Sequence, residues 1–171
     1  MEKFIAEHPK VRFRMTFGEA LLKNADILVS YDVPIEYSER IFLLEEDLPI
    51  AMRRDHPLAK LDTVSVRDFQ NEPFITGLSV QTADACYAAG FAPNIAFETN
   101  DPAYVRKYVE MGLGVAFIPS YSWRGLFSDN IVFKSVGVSR KTYIYIPPNS
   151  YTKRAVREFI KIMLEQAKSD S

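Results

Sequence analysis

The stretch from Asp101 to Pro119 constrains the fold more than any other part of the chain. Asp101-Pro102 is a helix start, with an acid at the cap and proline at the first helical position. Val105, Tyr108 and Val109 then give that helix an apolar stripe. Gly112 ends it, and Val115 to Ile118 follows as a strand apolar on both faces, hence central in a sheet. Short apolar runs alternate with amphipathic helices along the rest of the chain too, without repeats or low-complexity tracts. That alternation predicts an α/β fold, with mixed, mostly parallel sheets flanked by helices.

The other segments can be placed around this unit. Phe4 and Ile5 sit in a helical stub that Pro9 ends. Val11 to Thr16 alternates, with Val11, Phe13 and Met15 on one face and Arg12, Arg14 and Thr16 on the other, which predicts a half-wet strand near a sheet edge. Gly18 to Asn24 suits a very short helix, and Ile27 to Val29 a compact buried strand ending at Ser30-Tyr31-Asp32. Strands are expected at Ile41–Leu44 and Leu48–Met52, with Glu45-Glu46-Asp47 as a solvated turn linking them. Ser65 can cap a short helix through Phe69. Phe74 to Thr76 is a strand, a helix runs from about Val80 to Ala89, and Gly90 stands where a left-handed stop belongs. Further strands are expected at Ile95–Thr99, Ile131–Phe133 and Thr142–Ile146. A last helix from about Thr152 to Ala167 aligns Val156, Phe159, Ile160, Met163 and Leu164.

Several functions find no support. The 21 basic and 22 acidic residues leave a net charge of −1, whereas gripping a phosphate backbone usually calls for a basic excess. Arg53 and Arg54 are a local exception among interspersed acids. The longest apolar stretch, around Gly112–Pro119, is far too short for a membrane span, and Met1-Glu2-Lys3 opens no signal peptide. The single cysteine, Cys86, suits a reducing cytoplasm and lacks a basic neighbour within one helical turn, so a small core residue is the expected role. No Gly-x-Ser-x-Gly elbow exists, and the two histidines, His8 and His56, each precede a proline as loop or capping residues. Their spacing offers no metal set, and Gly112-x-Gly114 falls between helix and strand instead of strand and helix, the wrong place for a dinucleotide loop. Neither catalysis nor a cofactor nor a metal is expected.

Three segments together carry a resemblance. His56-Pro57-Leu58-Ala59 is followed by Val64–Phe69 and then Glu72-Pro73-Phe74-Ile75; Cys86–Ala89 runs into Gly90-Phe91-Ala92-Pro93; and Glu98-Thr99-Asn100-Asp101 precedes the helix that ends in Gly112-Leu113-Gly114-Val115-Ala116-Phe117-Ile118-Pro119. In this order and spacing they resemble the effector-binding domain of the bacterial LysR-type transcriptional regulators. The resemblance extends over nearly the whole chain. It implies two Rossmann-like lobes of the type 2 periplasmic-binding-protein kind. Residues 1–45 and 145–171 would form the first lobe, incomplete at its front, and 46–144 the second. The family's winged helix-turn-helix and linker helix have no counterpart in these residues.

In two-lobed α/β folds ligands meet strand C-termini and helix N-termini, where unpaired amides favour polar or anionic guests. Candidate contacts for a small polar or anionic effector in an inter-lobe cleft are Thr16, Gly18, Ser30, Tyr31, Thr76, Gly77, Leu78, Ser79 and Asn100. Plain helix capping accounts equally well for Ser79 and better for Asp101, and Tyr31 and Leu78 can simply pack. By the same resemblance the chain is expected to form a homodimer or tetramer in the cytoplasm. It would reach DNA only through the absent winged helix-turn-helix, and it would touch no membrane. The competing expectation is a free-standing solute-binding protein of the transporter type.

Overall fold

The structure is a computed structural model and describes residues 2–15, 25–31, 36–77, 79–99, 101–123, 125–148 and 154–169. Contacts divide the chain into two compact units, Met1–Glu45 with Lys141–Ser171, and Glu46–Arg140.

The first unit holds β1 (Leu28–Tyr31) and most of β8 (Ser139–Ile146) and β2 (Glu39–Asp47), in the order β1-β8-β2; Glu46–Asp47 and Ser139–Arg140 count with the second unit. β1 runs antiparallel to β8, with Val29 opposite Ile144 and Tyr31 opposite Thr142. Helix α4 (Arg154–Ser169) brings Val156, Ile160, Met163 and Leu164 against Ile41, Leu43, Ile144 and Ile146, as its apolar stripe requires. Its expected first residues, Thr152 and Lys153, lie outside the described residues. β1 is not fully buried, because Val29 on its outer face is 43% exposed.

Helix α1 (Glu2–Glu7) is the short stub that precedes Pro9. Val11 to Met15 form no strand. Instead Phe13 packs edge-on against Phe4 and Phe159, with centroids 5.8 and 5.2 Å away, while Arg12 and Arg14 face solvent. The expected dry face is not dry: Phe13 is 41% and Met15 72% exposed, so only the ring contacts of Phe13 remain of the predicted pattern. An extended segment laid beside a helix satisfies the same pattern as a strand in a sheet. The expected helix at Gly18–Asn24 lies outside the described residues.

The second unit is covered on both faces. β3 (Ile50–Arg53) pairs antiparallel with β6 (Ala116–Phe117) and β7 (Ile131–Lys134). β4 (Pro73–Thr76) pairs parallel with β5 (Asn94–Glu98), and Val115, just before β6, bridges Phe74 in parallel. The strands therefore follow one another as β5, β4, β6, β3, β7. Successive residues point to opposite sides. Ile50, Met52, Phe74, Val115 and Phe117 meet Cys86 of α2 (Ser79–Ala88) in one core, whereas Ala51, Ile75, Ala116 and Ile118 meet Val105 and Val109 of α3 (Pro102–Glu110) in another.

The stops and caps are where local chemistry puts them. Gly90 (φ 90°) and Gly112 (φ 74°) end α2 and α3 in the left-handed region. Asp101 Oδ1 accepts from Ala103 N at 2.8 Å. Ser65 N and Oγ both donate to Asp68, which holds that carboxyl below its usual range, at the head of a 3₁₀ turn over Val66–Phe69. His56 Nδ1 caps Leu58 N at 3.2 Å, and its Nε2 faces Glu72 at 3.3 Å, tying the two halves of the first family-like segment together.

Glu45, Glu46 and Asp47 are not a solvated turn but the end of β2, and Glu46 is only 4% exposed. Alternation runs on through Leu44, Glu46 and Leu48, so the glutamate takes an inward slot.

Gly114 is the tightest point. Val115 N donates to Pro73 O at 2.9 Å and Ile75 N to Val115 O at 2.8 Å, which brings β4 so close that a Cβ on Gly114 would lie 2.4 Å from Pro73 O. Rigid backbone cannot yield as a side-chain tip can. Gly114→Ala is therefore expected to lower unfolding free energy by about 3 kcal/mol in urea titration. Gly137→Ala, with a positive φ but open space, should lose only about 1 kcal/mol.

Candidate functional site

Parallel pairing places the C-terminal ends of β4 and β5 side by side, with Thr76 opposite Glu98. Thr99 N continues the ladder, donating to Thr76 O at 2.9 Å. α2 and α3 leave from these neighbouring strand ends, so two helix N-termini converge on one rim of the second unit. α3 is already capped by Asp101, whose own N donates to Thr99 Oγ1 at 3.2 Å.

The predicted residues fall into three groups. Thr16, Gly18, Leu78 and Asn100 lie outside the described residues. Ser30 and Tyr31 end β1 in the first unit, where Tyr31 O accepts from Tyr145 Oη at 3.3 Å. Thr76, Gly77 and Ser79 stand together on the β4–α2 rim, with distinct roles. Thr76 is buried, its Oγ1 3.0 Å from Thr82 Oγ1. Gly77 has no room for a side chain, because a Cβ would meet Thr99 O at 2.8 Å. Ser79 is exposed and donates its hydroxyl to Glu98 Oε1.

Glu98 is a residue that sequence reasoning missed. It belongs to the quoted Glu98–Asp101 segment, but nothing in the linear sequence pairs it with Ser79. With Ser79's proton already donated, the rim offers an incoming molecule carboxylate oxygen and hydroxyl lone pairs, together with main-chain amides.

A second missed residue is Glu46. Its carboxylate accepts from Tyr121 N (3.1 Å), Ser122 N (2.9 Å), Ser122 Oγ (2.8 Å), and Arg140 Nε (2.9 Å) and Nη2 (2.8 Å). A buried charge persists only when paired and hydrogen-bonded, and here five donors meet one group. Its consequence is a fixed turn at Ser120–Trp123, whose indole reaches the rim: Trp123 Cη2 would lie 3.4 Å from a Cβ on Gly77.

The reactive side chains are engaged elsewhere. Burial pushes the Cys86 thiol up to about 11, which keeps it protonated at neutral pH. His8 Nε2 faces Glu158 at 3.0 Å in the first unit. Arg53 pairs with Asp55 and Arg54 with the main chain of Asp129, so neither is a free cation. Among the described residues no group of three or more His, Cys, Asp or Glu side chains is placed to hold a metal ion. Among them, too, no helix is long and apolar enough to cross a membrane.

Comparison with known proteins gives the family and the fold. Residues 1–168 match the family described as LysR substrate binding domain. The transcriptional dual regulator GltC of Bacillus subtilis (strain 168) is 26% identical over 95% of this chain and 60% of its own length. The chain spans between 42% and 60% of the length of that and two similar curated relatives. Two solved structures share the fold. The regulatory domain of Synechocystis PCC6803 CcmR in complex with 2-PG has a TM-score of 0.85 at 14% identity, covering 98% of this chain and 88% of that one. The effector binding domain of QuiR in complex with shikimate has a TM-score of 0.81 at 21% identity, with the same coverage of 98% and 88%.

The Glu46 network is open to test. Glu46→Ala is expected to lower unfolding free energy by about 3–5 kcal/mol, by orphaning Arg140 and two amides. Adding Arg140→Ala should not restore stability, since the amides of Tyr121 and Ser122 stay unsatisfied. Recovery in the double variant, measured by urea unfolding, would reduce the network to a simple ion pair.

Proposed function

The chain belongs to the LysR substrate binding domain family, and on that premise we propose that it senses a small polar or anionic metabolite for a transcriptional regulator. The observation that carries the reading is the β4–α2 rim, where Gly77 and Ser79 present main chain and hydroxyl beside the end of β5. Sensing needs no chemical step. An effector shifts a two-state regulator by its differential affinity for the two states, with coupling of about 1–3 kcal/mol. The neighbours crystallised with shikimate and with 2-PG support a small acid as the effector class.

The proposal assigns each residue a role. Ser79 and the Gly77 backbone contact the effector, Thr76 locks the strand end through Thr82, and Ser30 and Tyr31 serve from the first unit. Leu78, Asn100, Thr16 and Gly18 belong to the same proposal. The two contact units correspond to the two effector subdomains. Glu98 is the competitor: an acid reaching Ser79 must take the hydroxyl from it.

The regulator acts in the cytoplasm as a homodimer or tetramer and binds DNA through a winged helix-turn-helix domain outside these residues. β5 supports the association. Among the described residues β4 is its only strand neighbour, and all five of its residues are exposed, Ile95 and Phe97 among them, as in an edge available for pairing.

Thermal-shift titration with shikimate, 2-PG and inorganic phosphate tests the reading. At least one should stabilise the protein. Ser79→Ala should weaken that stabilisation by roughly 0.5–1.5 kcal/mol, the worth of one hydrogen bond. Glu98→Gln should strengthen it by about 1 kcal/mol through loss of a like charge. Equal responses in all three proteins would move the site elsewhere, and no response to any of these or other small polar compounds would end the reading.

A further inference from the structure

We propose that Trp123 is a positioning residue of this site: its indole braces the inner side of Gly77, and Glu46 holds the indole in place. The proposal rests on the rim being the effector site, but its structural half stands on separate observations. A side chain at Gly77 would point at Val105 Cγ2 and Trp123 Cη2, each 3.4 Å away, and at Thr99 O, 2.8 Å away. That side of the glycine therefore faces packed atoms. Trp123 itself joins the core cluster of Ala51, Ile75, Val105 and Val109.

What fixes the indole is not its own packing alone. The turn before it is pinned by three donors, Tyr121 N, Ser122 N and Ser122 Oγ, on the Glu46 carboxylate. Trp123 N closes the turn on Pro119 O at 3.1 Å. A shifted turn would move the indole away from Gly77 and leave Val105 and the Thr99 carbonyl to hold that side without it. The effector loop thereby depends on a carboxylate far from it in sequence that touches no effector. Substitution at Glu46 should alter binding at Ser79 without changing any contact atom.

Trp123 is the only tryptophan in the chain, so intrinsic emission reports it alone. The test compares Trp123→Phe, Trp123→Ala, Glu46→Gln and Phe69→Leu, the last lying in the other core cluster. Without ligand, Trp123→Ala is expected to raise hydrogen exchange at the Thr99 amide, whose bond to Thr76 O closes the rim beside Gly77, by about tenfold or more, by local opening. Trp123→Phe should retain most of the protection. Glu46→Gln should red-shift the emission and speed exchange at Thr99. Phe69→Leu should lower global stability while leaving emission and the ratio of rim to global exchange unchanged. Binding of whichever of shikimate, 2-PG or phosphate stabilises the wild type best should weaken in Trp123→Ala and Glu46→Gln and recover in Trp123→Phe. Unchanged rim exchange in Trp123→Ala, or an equal rise in Phe69→Leu, would overturn the proposal and leave the indole as core filling. If the exchange pattern holds but no acid binds the wild type, the brace stands and the effector reading falls.

Discussion

Parallel main-chain pairing on both sides of β4 is the constraint on which the second unit depends. Val115 binds one edge through Pro73 and Ile75, and β5 takes the other. Parallel strands need a crossover between them, and the crossovers here are α2 and α3, which cover opposite faces. The same geometry that buries Phe74 on one side and Ile75 on the other also sets the strand ends level. The β4–β5 register shifts once, between Phe74 and Ile75, and Thr76 still ends opposite Glu98. Gly114 makes the closest strand approach possible, and Gly77 lets the rim pass over a packed interior.

Charge enters this core once among the described residues, at Glu46, and the exception is informative. A carboxylate in an inward strand slot would ordinarily cost several kcal/mol. Five donors meet it here, and two of them are main-chain amides of a turn that has no regular secondary structure to satisfy them. The glutamate substitutes for missing backbone partners and so gives an irregular segment one defined shape. Glu46 and Arg140 are also the first and last residues of the second unit. The network closes that unit on itself at the two places where the chain enters and leaves it.

Much of the fold was legible because local chemistry writes it. Asp101 and Pro102 start a helix, Gly90 and Gly112 stop helices, Ser65 opens a turn, and a run apolar on both faces becomes an inner strand. His56 proved to be a capping residue, as its place before Pro57 suggests. What stayed hidden depends on partners distant in sequence. Glu46 finds its donors 75 to 94 residues away, and alternation alone cannot distinguish such a slot from a solvated one. Ser79 meets Glu98 only because a parallel register brings residues 19 apart together. The Val11–Met15 alternation fits an extended segment beside a helix as well as a strand, and the aromatic partners Phe4 and Phe159 decided the matter. Family resemblance pointed to helix N-termini as the place to look, yet it could not say that a carboxylate of the chain already sits beside one of them.

We propose that main-chain amides at the end of β4, rather than reactive side chains, hold the effector. Titration of the nitrogen-15-labelled protein with shikimate and with 2-PG, followed by amide chemical shifts, tests it most directly. The account predicts the largest shifts at Gly77 and Ser79, with smaller ones at Glu98 and Thr99. Shifts confined to other segments while Gly77 and Ser79 stay still would contradict it.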